Sequence, residues 1–217
     1  MSKKRNMDYK QEKIIQKRLK EKTDFKNYVS NPCYVAGADV FYNKENSKVR
    51  AGCAVFRYPS LELIETESAE FKNSRVFPYV PGLLAFREMP FIKEVLNRVN
   101  SPIDVLVADG QGRLHPLEMG LAVHLGITIQ KPTIGCAKNH FYGKEKDVEN
   151  EKGAYSFITD NGKKIGVKLR TKKDTKPLYV SQGWGISLNK CMEIILGCCR
   201  GYRIPEVIRK AHKEANL

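Results

Sequence analysis

Several familiar features are missing from this sequence. No apolar run reaches the roughly 18 residues needed to cross a bilayer, and no charged-then-apolar leader of the secretory kind is present. A non-membrane protein of the cytoplasm, or of the nucleus in a eukaryotic cell, is therefore the expectation. Six cysteines occur, Cys33, Cys53, Cys136, Cys191, Cys198 and Cys199, but they form no C-x-x-C pair. With only four scattered histidines, a structural zinc site is not expected, and buried free thiols are. The G-x-x-x-x-G-K-[ST] phosphate loop is absent, as is the G-x-S-x-G elbow. Those absences set aside a P-loop nucleotidase and a serine hydrolase. Acids are in short supply, with 24 Asp plus Glu against 38 Lys plus Arg, for a net charge of +14.

That imbalance favours a polyanionic partner, most often nucleic acid. The first 22 residues hold nine Lys or Arg and three acids, which is +6 of the +14, so the rest of the chain is basic as well. We read residues 1–22 as a basic N-terminal segment, a solvated helix or tail, and 23–217 as one domain. At 217 residues and 41% hydrophobic the chain has enough apolar side chains for a substantial core. A monomer is expected.

Apolar and alternating runs predict strands over 34–42, 48–58 and 61–72, joined by turns short enough for hairpins. Glu62, Glu65, Glu67 and Glu70 read as mostly solvated strand positions. A helix is expected from about 83 to 99, kinked or restarted at Pro90. "DVLVADG" (104–110) reads as a central parallel strand. A helix over 115–126 with Pro116 near its start, a strand at 132–138 and a hairpin over 155–170 tipped by Asn161-Gly162 follow. A strand at 177–183 and two helices, 187–199 and 204–215, complete the chain, with Ser187 and Pro205 in capping positions. Hairpins followed by alternating helices and strands make an α/β protein with a mixed sheet.

Two aspartates, in "GADV" and "VADG", sit within or at the end of apolar strands. An Asp there is costly unless it is paired or holds a cation. Asp39, Asp109 and the helical Glu88 together offer three carboxylates, a donor set suited to Mg²⁺ or Mn²⁺. In a basic protein this suggests phosphodiester chemistry. Just upstream of Glu88, "PYVPG" places Tyr79 between two prolines. Each fixes φ near −65°, so the loop is stiff.

The motifs "GADV", "PYVPGLLAFRE", "DGQGRLHP…GLAVHLG", "PTIGCAK", "KPLYVS" and "YRIPEVIRKAH" resemble, in that order, those of the endonuclease V family. The resemblance spans about residues 34 to 212. It implies a single-domain ribonuclease H-like fold, a mixed sheet flanked by helices. It also implies Mg²⁺-dependent cleavage, with Mn²⁺ as a substitute, of inosine-containing DNA or RNA at the second phosphodiester bond on the 3′ side. Carried across by position, it makes Asp39, Glu88 and Asp109 the metal-binding carboxylates. It sets His212 beside the metal and turns Lys138 toward the scissile phosphate. Tyr79, with Pro78, becomes a wedge in the base stack. Gly82, Leu84, Gly110, Gly112 and His115 fall around a pocket for a flipped-out base. Two positions depart from the family pattern: Leu117 stands where arginine is usual, and Trp184 where histidine is. Both bear on substrate preference. The rival readings are an inosine-binding module that does not cut and a structure-specific repair nuclease of the same fold.

Overall fold

The computed structural model describes residues 9–43, 48–72 and 74–217. Its elements in chain order are α1 (Lys10–Lys20), β1 (Tyr34–Tyr42), β2 (Val49–Arg57), β3 (Glu62–Phe71), α2 (Leu84–Leu96), β4 (Val105–Ala108), α3 (Leu121–Ile129) and β5 (Thr133–Ala137). They continue as β6 (Tyr155–Asp160), β7 (Lys163–Leu169), β8 (Leu178–Gln182), α4 (Leu188–Gly197) and α5 (Glu206–Ala215). The strands form one sheet in the order β3-β2-β1-β4-β5-β8-β7-β6. β1, β4 and β5 run parallel and the remaining pairs are antiparallel. This is the expected ribonuclease H-like mixed sheet in a single domain.

Both sheet faces are buried, which is why β1, β2 and β4 are apolar on both sides rather than alternating. On one face Val35, Ala54, Val107 and Val180 meet Cys191 and Ile194 of α4 and Val207 and Ile208 of α5. On the other, Ala36, Val55, Leu106 and Ala108 meet Ile92 of α2 and Leu121 and Leu125 of α3. Helix α5 packs against the sheet unusually closely. A Cβ on Gly37 would stand 2.2 Å from the Val207 carbonyl oxygen, and one on Gly52 would stand 2.4 Å from that of Ala211. Only glycine permits this approach. At the hairpin tip, Asn161 and Gly162 have φ of 46° and 79°, the pair of left-handed residues that a two-residue turn requires.

The structure differs from expectation in four places. The helix expected over 115–126 begins only at Leu121. Ahead of it, the Leu117 and Met119 amides donate to His115 Nδ1, and Glu118 has φ of 55°. Side-chain capture of the backbone here outcompetes helix formation, so Pro116 is not at a helix start. Helix α2 runs through Pro90 without restarting. The basic N-terminal segment is not a free tail over its described part. Residues 1–8 lie outside the described residues, but α1 docks through Leu19, which packs on Met119 and Val123, and through a buried Gln16. Leu117 and Trp184, the two departures, join this same cluster. Trp184 Nε1 donates to the Lys22 carbonyl, so both support the N-terminal segment. Glu65 is also more engaged than a solvated strand residue, since it accepts from the Asn100 and Ser101 amides.

Candidate active site

The parallel pairing of β1 and β4 ends at Ala38 and Ala108. The next residue on each strand is an aspartate, so Asp39 and Asp109 come to the carboxyl end of neighbouring parallel strands. Ligands gather at this place in such sheets. Asp39 is opposite Gly52 in the β1–β2 register. The missing side chain lets α5 close over the sheet, and His212 Nδ1 donates to Asp39 Oδ2 at 2.6 Å. Asp39 Oδ1 accepts from the Val40 amide at 2.9 Å. Lys138, one residue beyond β5, pairs with Asp109, and Arg203 donates to the Lys138 carbonyl at 2.9 Å, which fixes its backbone.

Glu88 reaches the same neighbourhood from α2. Burial, then the charges of Asp39 and Asp109, push its carboxyl up to about 8. Burial and Asp109 likewise hold Asp39 above its ordinary range, against the opposing pull of His212. Burial alone would lower the Lys138 ammonium, but Asp109 and Asp39 outweigh it and hold it above its usual value. Three acids crowded into mutual repulsion leave a shortage of positive charge that one lysine and one histidine only partly meet. Among the described residues, no three of these groups already converge as ligands to a single ion. Asp39 is turned to His212 and Asp109 to Lys138.

Beside the carboxylates is a cavity of about 300 Å³. Asp109 and Lys138 form one side of it, and Tyr79, Gly82, Leu84, Gly110 and His115 line much of the remainder. Gly82, at φ of 84°, faces His115 and Phe141. A Cβ there would stand 3.2 Å from His115 Nε2. Gly110 lies against Leu121 and Leu84, at 3.1 and 3.5 Å from an added Cβ. Tyr79 is 71% exposed at the mouth. Its loop is held from behind: Arg87 Nη1 donates to the Phe77 carbonyl at 2.7 Å, and Phe77 packs on Tyr9 and Phe86.

The structure therefore brings the residues singled out in the sequence into two adjoining groups. Asp39, Glu88, Asp109, Lys138 and His212 form the charged group. Tyr79, Gly82, Leu84, Gly110 and His115 form the cavity. Pro78 and Gly112 are not on the cavity wall. Pro78 stiffens the loop, and Gly112 passes behind it, where a Cβ would meet the Gln182 carbonyl oxygen at 2.2 Å. Sequence reasoning missed Arg87, Arg203, Phe141 and Gln111. Gln111 lines the cavity and has a buried Oε1 with no partner among the described residues. Their one signal was position, each lying within or beside a motif already noted.

A family model described as Endonuclease V matches residues 14–213. The chain belongs to the endonuclease V family. The endonuclease V of Rippkaea orientalis is 42% identical over 204 residues, covering 94% of this chain and 88% of that protein. Among solved structures, endonuclease V from Streptomyces avermitilis superimposes with a TM-score of 0.88 at 33% identity, covering 95% of this chain and 91% of its own. The Ciona intestinalis endonuclease V, solved with a 24mer DNA containing an inosine followed by a ribo-adenosine, gives 0.84 at 26% identity, covering 96% of each chain. Membership makes this chain a nuclease, and its fold is that of the solved endonuclease V structures. No helix among the described residues is long and apolar enough to cross a membrane.

Proposed function

We propose that this protein is a divalent-cation-dependent endonuclease that recognises inosine in DNA or RNA. It hydrolyses the second phosphodiester bond on the 3′ side and leaves a 3′-hydroxyl and a 5′-phosphate. One observation carries the reading: the base-sized cavity and the carboxylate cluster share a wall, formed by Asp109 and Lys138. A base held in the cavity keeps its own strand beside the carboxylates. The inosine-containing DNA bound to the Ciona intestinalis relative supports the choice of base.

The residues present fit Mg²⁺ or Mn²⁺, with Asp39, Asp109 and Glu88 as hard oxygen donors. Burial, then the charges of Asp39 and Asp109, raise the Glu88 carboxyl to about 8, a repulsion that a bound cation would relieve. When bound, the ion supplies Lewis acidity to the phosphodiester and its attacking water. The protein's own groups do the rest. His212 keeps Asp39 oriented. Lys138 can turn from Asp109 to a phosphate oxygen. The Arg87 tie holds the Tyr79 loop to the helix bearing Glu88, so cavity and cutting site keep a set separation. Water oxygen joins phosphorus, the bond from phosphorus to the 3′ oxygen breaks, and that oxygen takes up a proton. A non-cleaving module would have no use for three carboxylates and a lysine in one place. A junction nuclease would have no use for the cavity. The cysteines are all free, five of them buried, as in a reducing cytoplasm or nucleus.

The test is a gel of end-labelled DNA and RNA strands, each with a single inosine, incubated with Mg²⁺. Cleavage one nucleotide beyond the inosine's own 3′ linkage is expected. Cutting that ignores inosine overturns the reading.

A further inference from the structure

Helix α1 inverts the usual pattern of an amphipathic surface helix. It leaves Ile14 and Ile15 at 48% and 43% exposed, yet its one buried residue is the polar Gln16. A buried amide is costly unless its hydrogen bonds are made. Gln16 Nε2 donates to the Gly82 carbonyl at 2.8 Å and to the Met119 carbonyl at 3.3 Å. These two residues lie on different loops, one ahead of α2 and the other ahead of α3, and both line the cavity.

The Gly82 carbonyl has a second donor. His115 Nδ1 accepts from the Leu117 and Met119 amides at 3.1 and 3.4 Å, which leaves the ring proton on Nε2. His115 Nε2 therefore donates to Gly82 O, at 2.9 Å. A carbonyl has two lone pairs. Gln16 and His115 both donate to it, so two elements fix its position.

We propose that Gln16 is a specificity-determining positioning residue for the base cavity, an inference that rests on the functional reading above. It clasps the cavity's two loops at a fixed spacing. Guanine differs from hypoxanthine by a 2-amino group, an extra pair of N–H donors. A cavity whose two loops are free to part would make room for that group. Loops held at one spacing crowd the extra amino group, which disfavours guanine.

The test compares cleavage of otherwise identical strands carrying inosine or guanosine at one position. Gln16→Met keeps length and apolar packing but removes both donors. The kcat/KM ratio of inosine to guanosine is expected to fall about tenfold, the size of one net hydrogen bond, with the change mainly in KM. Hydrogen exchange of the Leu83–Ala85 and Gly120–Leu121 amides should quicken. Ile15→Ser, at an exposed position of the same helix, should leave the ratio unchanged. If Gln16→Met does not fold, Gln16→Leu removes the same donors with an apolar side chain of similar size and should lower the ratio in the same way. An unchanged ratio in the Gln16 variants, or an equal fall in Ile15→Ser, overturns the inference. A wild-type protein that fails to prefer inosine overturns the functional reading instead, before any variant is compared.

Discussion

His212 Nδ1 lies 2.6 Å from Asp39 Oδ2, across 173 residues of chain. The contact depends on Gly52, which sits opposite Asp39 and lets the α5 backbone come within 2.4 Å of where its Cβ would stand. A carboxylate held this way keeps one oxygen committed and the other directed. His212→Ala is expected to lower single-turnover cleavage about 10–100-fold, the usual effect of removing a group that orients a metal ligand. Stability should be little affected, because His212 is largely exposed. A cleavage rate equal to wild type across a Mg²⁺ titration would return His212 to a surface role.

Asp39→Asn and Asp109→Asn should each leave the fold intact and nearly abolish cleavage. Either change removes a charge the cation needs while preserving side-chain shape. Binding to inosine-containing strands should persist, since Asp39 is off the cavity wall and Asp109→Asn keeps the shape of the side chain that is on it. Mg²⁺ or Mn²⁺ should restore wild-type activity after EDTA treatment, and Ca²⁺ should support binding with little cutting. Robust cleavage in excess EDTA, or near wild-type rates in either variant, rules out the metal assignment.

The strands and the charged residues were readable because they obey local rules. Asp39 and Asp109 interrupt apolar strands, Asn161-Gly162 has the chemistry of its turn, and Ser187 accepts from the Lys190 amide as a helix cap should. The α3 start was misread because His115 draws the next backbone amides to its ring, a competition invisible to periodicity. Gln16 was invisible for a related reason. Its helix looks like a charged tail, and the two carbonyls that bury it are 66 and 103 residues away. Leu117 and Trp184 looked like changes at a nucleic-acid surface. They are neighbours in the cluster beneath α1, a relation that only the folded chain reveals.

His124 supplies a pH test separate from the charged cluster. It is buried on α3, edge-on to Phe86 at 5.4 Å, and Nε2 has no hydrogen-bond partner among the described residues. Burial, then the nearby His115, push its pKa down from 6.5 to about 4. The unfolded chain therefore takes up this proton more readily than the folded one between those values. Stability from this residue is fully present above about pH 6.5 and is lost as pH falls toward 4, by a total of about 3 kcal/mol. His124→Met cannot titrate. The stability difference between wild type and this variant, from urea unfolding at pH 4 to 7, should shift against wild type as pH falls. A difference independent of pH would mean that His124 protonates freely in the folded protein.

Tyr79 is the residue whose role depends most on the stiffness around it. An enzyme that inspects a base must lift it from the stack, at a cost of a few kcal/mol. A ring that fills the gap recovers about 1–3 kcal/mol by stacking, but only if it is already in place. Ordering a loose loop would cost about 1 kcal/mol or more per residue. Here Pro78 and Pro81 restrict the backbone on either side, and Arg87 ties the Phe77 carbonyl to α2. The ring itself remains exposed at the cavity mouth. Tyr79→Ala is therefore expected to weaken binding to an inosine-containing duplex by about 1–3 kcal/mol. The loss should be smaller on single strands, which have less stacking to break. Tyr79→Phe should keep most of the affinity, because the ring does the stacking. Titrations of labelled duplex and single strand with each variant measure these differences. Equal losses for Ala and Phe would transfer the role to the hydroxyl, and no loss for either would leave Tyr79 without a part in base extrusion.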